Sequence, residues 1–108
     1  MTDYLPHVHE RFGSEFPGVM EAFTRLAEML HAAGPLTQRD RRLVKLGIAI
    51  GQGSEGGVRS HARKALNEGI DPAAILQAAV LGITTAGYPT AIAAFQWINE
   101  VLDAEAGR

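Results

Sequence analysis

The chain has 108 residues, 46% of them hydrophobic, with 10 basic and 12 acidic side chains, a net charge of −2 and no cysteine. Its length predicts one domain over 1–108, and its balanced charge gives no electrostatic reason to expect nucleic acid or an anionic membrane as partner. Disulfides, thiolate metal sites and thiol nucleophiles are excluded, and no residue pattern calls for a cofactor.

The start, Met1-Thr2-Asp3-Tyr4-Leu5-Pro6, has neither a basic region nor an apolar core of the kind a secretory signal carries. The longest apolar run, Ala73–Leu76 and then Ala78–Ile83, falls short of the roughly 20 residues a membrane span needs. A soluble cytoplasmic protein is the expectation.

The pattern predicts an all-α fold of five to six helices. Residues 3–12 read as a short helix interrupted by Pro6, and Gly13 to Gly18, with Pro17, as a turn region. From about 18 to 32, Val19, Phe23, Leu26, Ala27 and Leu30 recur at helical spacing and define one apolar face. Gly34-Pro35 ends it. Thr37 offers an N-cap, with Asp40 three residues on, for a helix over about 38–51. That helix carries its charges first and then an apolar stretch, Leu46 to Ile50.

After Gly51-Gln52-Gly53, Ser54 can cap a helix running to about Glu68, with Gly69 as its stop. Asp71 and Pro72 open the next, through Ile75, Leu76, Ala79, Val80 and Ile83. Gly87-Tyr88-Pro89 is read as a turn. The last helix presents Ile92, Phe95, Ile98 and Leu102 on one face, and 104–108 are expected to fray. The segments 46–50 and 75–83 are apolar almost all round, and so few short helices can hardly enclose both. Burial against another copy of the chain is the expected solution.

The order of these elements carries a resemblance. It rests on Leu36-Thr37 before a charged-then-apolar helix, the loop Gly53-Ser54-Glu55-Gly56-Gly57 leading to His61, Ala65-Leu66-x-x-Gly69, Asp71-Pro72-x-x-Ile75, and Gly87-Tyr88-Pro89-x-Ala91. Over about 17–103 the chain resembles the carboxymuconolactone decarboxylase and alkylhydroperoxidase D-like family. The resemblance implies a helical bundle assembled as a homo-oligomer, trimer or hexamer, of interlocked helices. Thiol-active members carry Cys-x-x-Cys-x-x-x-His where this chain has Ser54, Gly57 and His61. They also carry a relay glutamate twelve residues before the first cysteine, a position held here by Arg42. The chain is therefore no thiol peroxidase. The family's lactone decarboxylases do not depend on a disulfide, so that branch stays open.

His61 is the leading candidate for acid/base work, because a partly buried imidazole titrates near neutrality. Ser54, Gly57 and His61 fall on one helix face, so two small side chains should leave a cavity beside the ring. The plain alternative is a core-edge histidine satisfied by one hydrogen bond. Glu55 is a candidate acid/base partner, although six residues separate it from His61, about 9 Å along a helix. Its plain alternative is a surface ion pair with Arg59 at i+4.

Arg42 is a candidate clamp for a ligand carboxylate, since the hairpin around 51–53 brings it within a turn of His61's level; Arg59 is the other. A cross-helix or intersubunit salt bridge is the alternative for the arginines near that helix start. His7-Val8-His9 makes a poor metal pair, because residues two apart on a helix diverge. Two functions stand. One is proton-transfer chemistry of decarboxylase or isomerase type on a small carboxylate; the other is a non-catalytic oligomer that binds a small ligand or serves a structural role.

Overall fold

The computed structural model describes the backbone of residues 4–107 and the side chains of 7–107. Residues 3 and 108, parts of the expected first helix and fraying tail, lie outside the described residues. Six helices occur in order: α1 (Tyr4–Glu15), α2 (Pro17–His31), α3 (Gln38–Gly51), α4 (Glu55–Asn67), α5 (Pro72–Thr85) and α6 (Tyr88–Ala106). The described residues contain no strand.

The chain divides into two compact units, residues 1–36 and 37–108. The first is the α1–α2 pair. Here the expected turn region shrinks to one residue. α1 runs through Pro6 and Gly13 to Glu15, and only Phe16 (φ −133°, ψ 64°) leaves helical geometry before Pro17 opens α2. Proline is tolerated in the first turn of a helix, where its missing N–H has no partner to lose, so neither Pro6 nor Pro17 breaks anything. The rings of Phe12 and Phe16 meet across the junction at 5.4 Å. α2 buries none of its residues, and Val19, Phe23, Leu26 and Leu30 of its apolar face all lie on the surface.

The second unit holds the core. Local chemistry fixes its helix starts. Thr37 accepts from the Asp40 N–H (3.1 Å), Ser54 from the Gly57 N–H (3.1 Å) and Asp71 from the Ala73 N–H (2.8 Å). Each satisfies a backbone donor that the first helical turn leaves free. Gly69 (φ 85°) and Gly87 (φ 103°) take left-handed backbone after α4 and before α6, where other residues would be strained. α6 continues to Ala106, beyond the expected fraying point, and it starts at Tyr88 with Pro89 second.

Leu46, Ala49 and Ile50 of α3 pack with Val58, Ala62 and Ala65 of α4, Ile75 and Ala79 of α5, and Ala94, Ile98 and Val101 of α6. So many alanines let the helices approach closely, and the core draws its bulk from a few branched residues. Each of the fully buried ones stabilises the fold by roughly 1.5–3 kcal/mol.

The two all-apolar segments are only half used. Ile48, Val80, Leu81 and Ile83 stay exposed beside their buried neighbours. Together α3 and α5 line an apolar groove of about 560 Å³, with Leu43, Val44, Gly47 and Ile48 on one wall and Ala78 and Leu81 on the other. No helix among the described residues is long and apolar enough to cross a membrane.

Candidate functional site

α3 and α4 form an antiparallel hairpin, so the N-terminal end of α3 lies beside the C-terminal end of α4. A cation near a helix N-terminus and an anion at a helix C-terminus each oppose the helix dipole. Arg42 and Glu68 are that pair of misplaced charges, and each answers the other. Arg42 donates from Nε to Oε1 of Glu68 (3.1 Å) and from Nη2 to Oε2 (2.8 Å). The bidentate fork is the geometry that guanidinium and carboxylate favour. The two side chains are 13% and 20% exposed, so solvent screens the pair only in part. The Arg42 fork holds the Glu68 carboxyl below the usual carboxylate range, against the smaller opposing effect of burial.

The remaining arm of Arg42 reaches His61. Nη1 lies 2.8 Å from Nδ1 of the half-buried imidazole. Burial pushes the His61 pKa down to about 4, and the positive charges of Arg42, Lys64 and Lys45 push the same way, with Glu68 opposing them. His61 is neutral at pH 7 in this setting. Lys64 is lowered as well, first by burial and then by Arg42 and Lys45. Among the described residues, the neutral histidine thus feels Arg42, Lys64, Lys45 and the acid Glu68.

The structure brings Arg42 to His61 and leaves the other candidates elsewhere. Glu55 bonds to Arg59 Nε (3.0 Å), and Arg59 reaches across to Glu100 on α6 through Nη2. Arg59 therefore makes one ion pair within α4 and one that links α4 to α6. Burial opposes the charge on Arg59, yet its two acids raise the pKa overall.

The Ser54 hydroxyl caps α4 and is committed to the Gly57 N–H. The space expected at Gly57 is filled by the approach of the helices. A Cβ at 57 would lie 2.9 Å from Ser54 Oγ and 3.2 Å from Ala49 Cβ, both closer than ordinary packing. The apolar groove between α3 and α5 includes none of the predicted site residues.

Glu68 was not singled out by the sequence. Two signals pointed to it: its seven-residue spacing from His61, which returns to the same helix face after two turns, and a carboxylate where the helix dipole disfavours one. Among the described residues no group of three or more histidines, cysteines or carboxylates could hold a metal ion, and His7 and His9 sit exposed on α1.

A fold of helices alone, a glycine-rich loop leading to a lone histidine, and a cysteine-free chain are what a family assignment must accommodate. A model described as the carboxymuconolactone decarboxylase family matches residues 17–100. The match covers most of the chain, and the chain belongs to that family. No curated protein and no solved structure matches it at a significant level.

Proposed function

We propose that this cysteine-free member of the carboxymuconolactone decarboxylase family carries out decarboxylation or isomerisation of a small carboxylate beside His61. The observation that carries the reading is the convergence of Arg42 from α3 on His61 of α4 at 2.8 Å, in a half-buried setting where, among the described residues, Arg42 and Lys64 act on the ring beside one acid, Glu68. Excess positive charge at low local dielectric favours an anionic ligand. In a decarboxylation the bond to the carboxyl carbon breaks, carbon dioxide leaves, and the electron pair passes to a conjugated carbonyl as an enolate. A proton from solvent then completes the product. His61 would stabilise the enolate oxygen, and Lys64 would contribute to the field that draws the substrate in.

The second reading, a non-catalytic ligand-binding or structural oligomer, also has an observation behind it. The fork of Arg42 is occupied by Glu68, and Arg59 is held by Glu55 and Glu100, so both arginines considered as clamps are engaged within the chain. The deciding experiment incubates pure protein with carboxymuconolactone and follows carbon dioxide release. Turnover that disappears in a folded His61→Ala variant supports catalysis. Binding of the lactone by calorimetry without turnover supports the second reading.

Either way we infer assembly into a trimer or hexamer through the α3–α5 groove and its exposed Ile48 and Leu81. Apolar surface this continuous on one wall is characteristic of interfaces. A monomer in light scattering at micromolar concentration would refute it.

A further inference from the structure

Arginine has only hydrogen-bond donors and keeps its proton at any pH a protein tolerates. The contact of 2.8 Å between Arg42 Nη1 and His61 Nδ1 therefore runs in one direction: Arg42 donates and Nδ1 accepts. A neutral imidazole with Nδ1 accepting carries its proton on Nε2. Arg42 itself is held in register by both oxygens of Glu68.

No described side-chain nitrogen or oxygen is buried without a hydrogen-bond partner. Among the described residues Nε2 has no hydrogen-bond partner, so it is not sealed in the interior. We propose that Arg42, braced by Glu68, is a positioning residue that locks His61 in the Nε2–H form, so that the histidine meets a ligand as a hydrogen-bond donor and not as a base.

The charged groups acting on the ring come from both helices of the hairpin. Arg42 and Lys45 lie on α3, and Lys64 and Glu68 on or just after α4. Protonating His61 would put a donor against a donor at Nδ1 and add a cation beside Arg42 and Lys64. The arrangement suits chemistry that needs an electrophile, such as holding the oxygen of an enolate after carbon dioxide has left. It favours the decarboxylation of the function proposed above over the isomerisation, which needs a base to take a proton from carbon, because the accepting nitrogen is already taken. That His61 meets a ligand at all rests on the function proposed above; which nitrogen carries the proton does not.

Long-range proton–nitrogen NMR of the full chain, labelled on histidine and assigned with His61→Gln, reads the tautomer directly. The wild type should show a pyrrole-like Nε2 and a pyridine-like Nδ1 from pH 8 down to pH 5. Arg42→Leu removes the donor and leaves Glu68 beside the ring, so the His61 midpoint should rise by at least one unit, about a tenfold gain in imidazolium well above the midpoint. Glu68→Gln removes the described group that favours the imidazolium, so its midpoint should stay or fall.

Opposite responses to the two halves of one ion pair are not produced by loosening of the fold. An Nδ1–H tautomer in the wild type overturns the proposal and needs no variant to be seen. So does an Arg42→Leu protein whose tautomer and midpoint are unchanged. An Nε2–H histidine in a protein that neither binds nor converts carboxymuconolactone would defeat the proposed function and leave the tautomer assignment standing; turnover by an Nδ1–H protein would do the reverse.

Discussion

Gly57 of α4 lies close against Ala49 of α3, and a valine there measures the α3–α4 contact. Relative to glycine, valine gains a few tenths of a kcal/mol of helix propensity. Against that, its Cβ starts 3.2 Å from Ala49 Cβ and 2.9 Å from Ser54 Oγ, before either methyl is placed. The serine hydroxyl can turn aside, at some cost to the cap. Ala49 is 5% exposed and has no rotamer to change, so the helices must part. Overpacking of this kind costs about 1–3 kcal/mol.

The net expectation for Gly57→Val is about 2 kcal/mol of destabilisation, on the order of a 10 °C fall in Tm for a chain this size. Thermal unfolding by circular dichroism at fixed protein concentration is the assay, because any assembly would make Tm depend on concentration. Ala49→Gly alone should cost about 1 kcal/mol as a helix-interior glycine. The double variant should be more stable than the sum predicts, by about 1 kcal/mol of coupling. A Gly57→Val protein as stable as the wild type, with strict additivity in the double variant, would refute the close contact.

The remaining expectations concern charge, core and surface. The folded-state pKa of His61 is depressed to about 4 from 6.5, so its contribution to stability is complete above about pH 6.5 and is lost as the pH falls towards 4. The full shift corresponds to about 3 kcal/mol, which solvent screening at a half-exposed ring reduces to about 1–2 kcal/mol. Urea titrations between pH 7 and about 5.5 should show the onset of that slope in the wild type and lose it in His61→Gln; the carboxylates Glu68 and Glu100, also depressed, act mainly below that window. Ile98→Ala empties a fully buried position and should cost about 2–5 kcal/mol in denaturant unfolding, and a cost under about 1 kcal/mol would contradict its place in the core. Leu81→Glu on the groove should leave circular dichroism unchanged and reduce the assembled mass in light scattering, whereas an unaltered mass would move the interface elsewhere.

Much of the fold was legible because its punctuation is chemical. Thr37, Ser54 and Asp71 are short polar side chains ahead of helical patterns, and each caps the helix assigned to it. The junction at Phe16 was not legible. Two glycines and a proline near it look like a loop, yet backbone hydrogen bonds from Phe16 to Phe12 and from Met20 to Phe16 carry the chain across with one residue out of line. The Arg42–His61 approach followed from the length of the hairpin. Glu68 escaped although its spacing from His61 points to the same face, because it caps the end of α4, where spacing alone does not fix side-chain direction. The cavity beside Gly57 failed for a packing reason: small residues invite either a void or a closer neighbour, and close packing decided for the neighbour.

The fork between Arg42 and Glu68 also constrains how such a sequence can change over time. An acid at position 42, introduced into this background, would face the carboxylate of Glu68 at close range and strip His61 of its donor in the same step. Like charges at that distance repel, and the first substitution would be disfavoured whatever the second might offer. Loss of the acid at 68 must come first. Descendants and ancestors of this chain are therefore expected to show the two positions changing in a fixed order, with an arginine at 42 accompanied by an acid at 68 and an acid at 42 by a neutral or basic residue there.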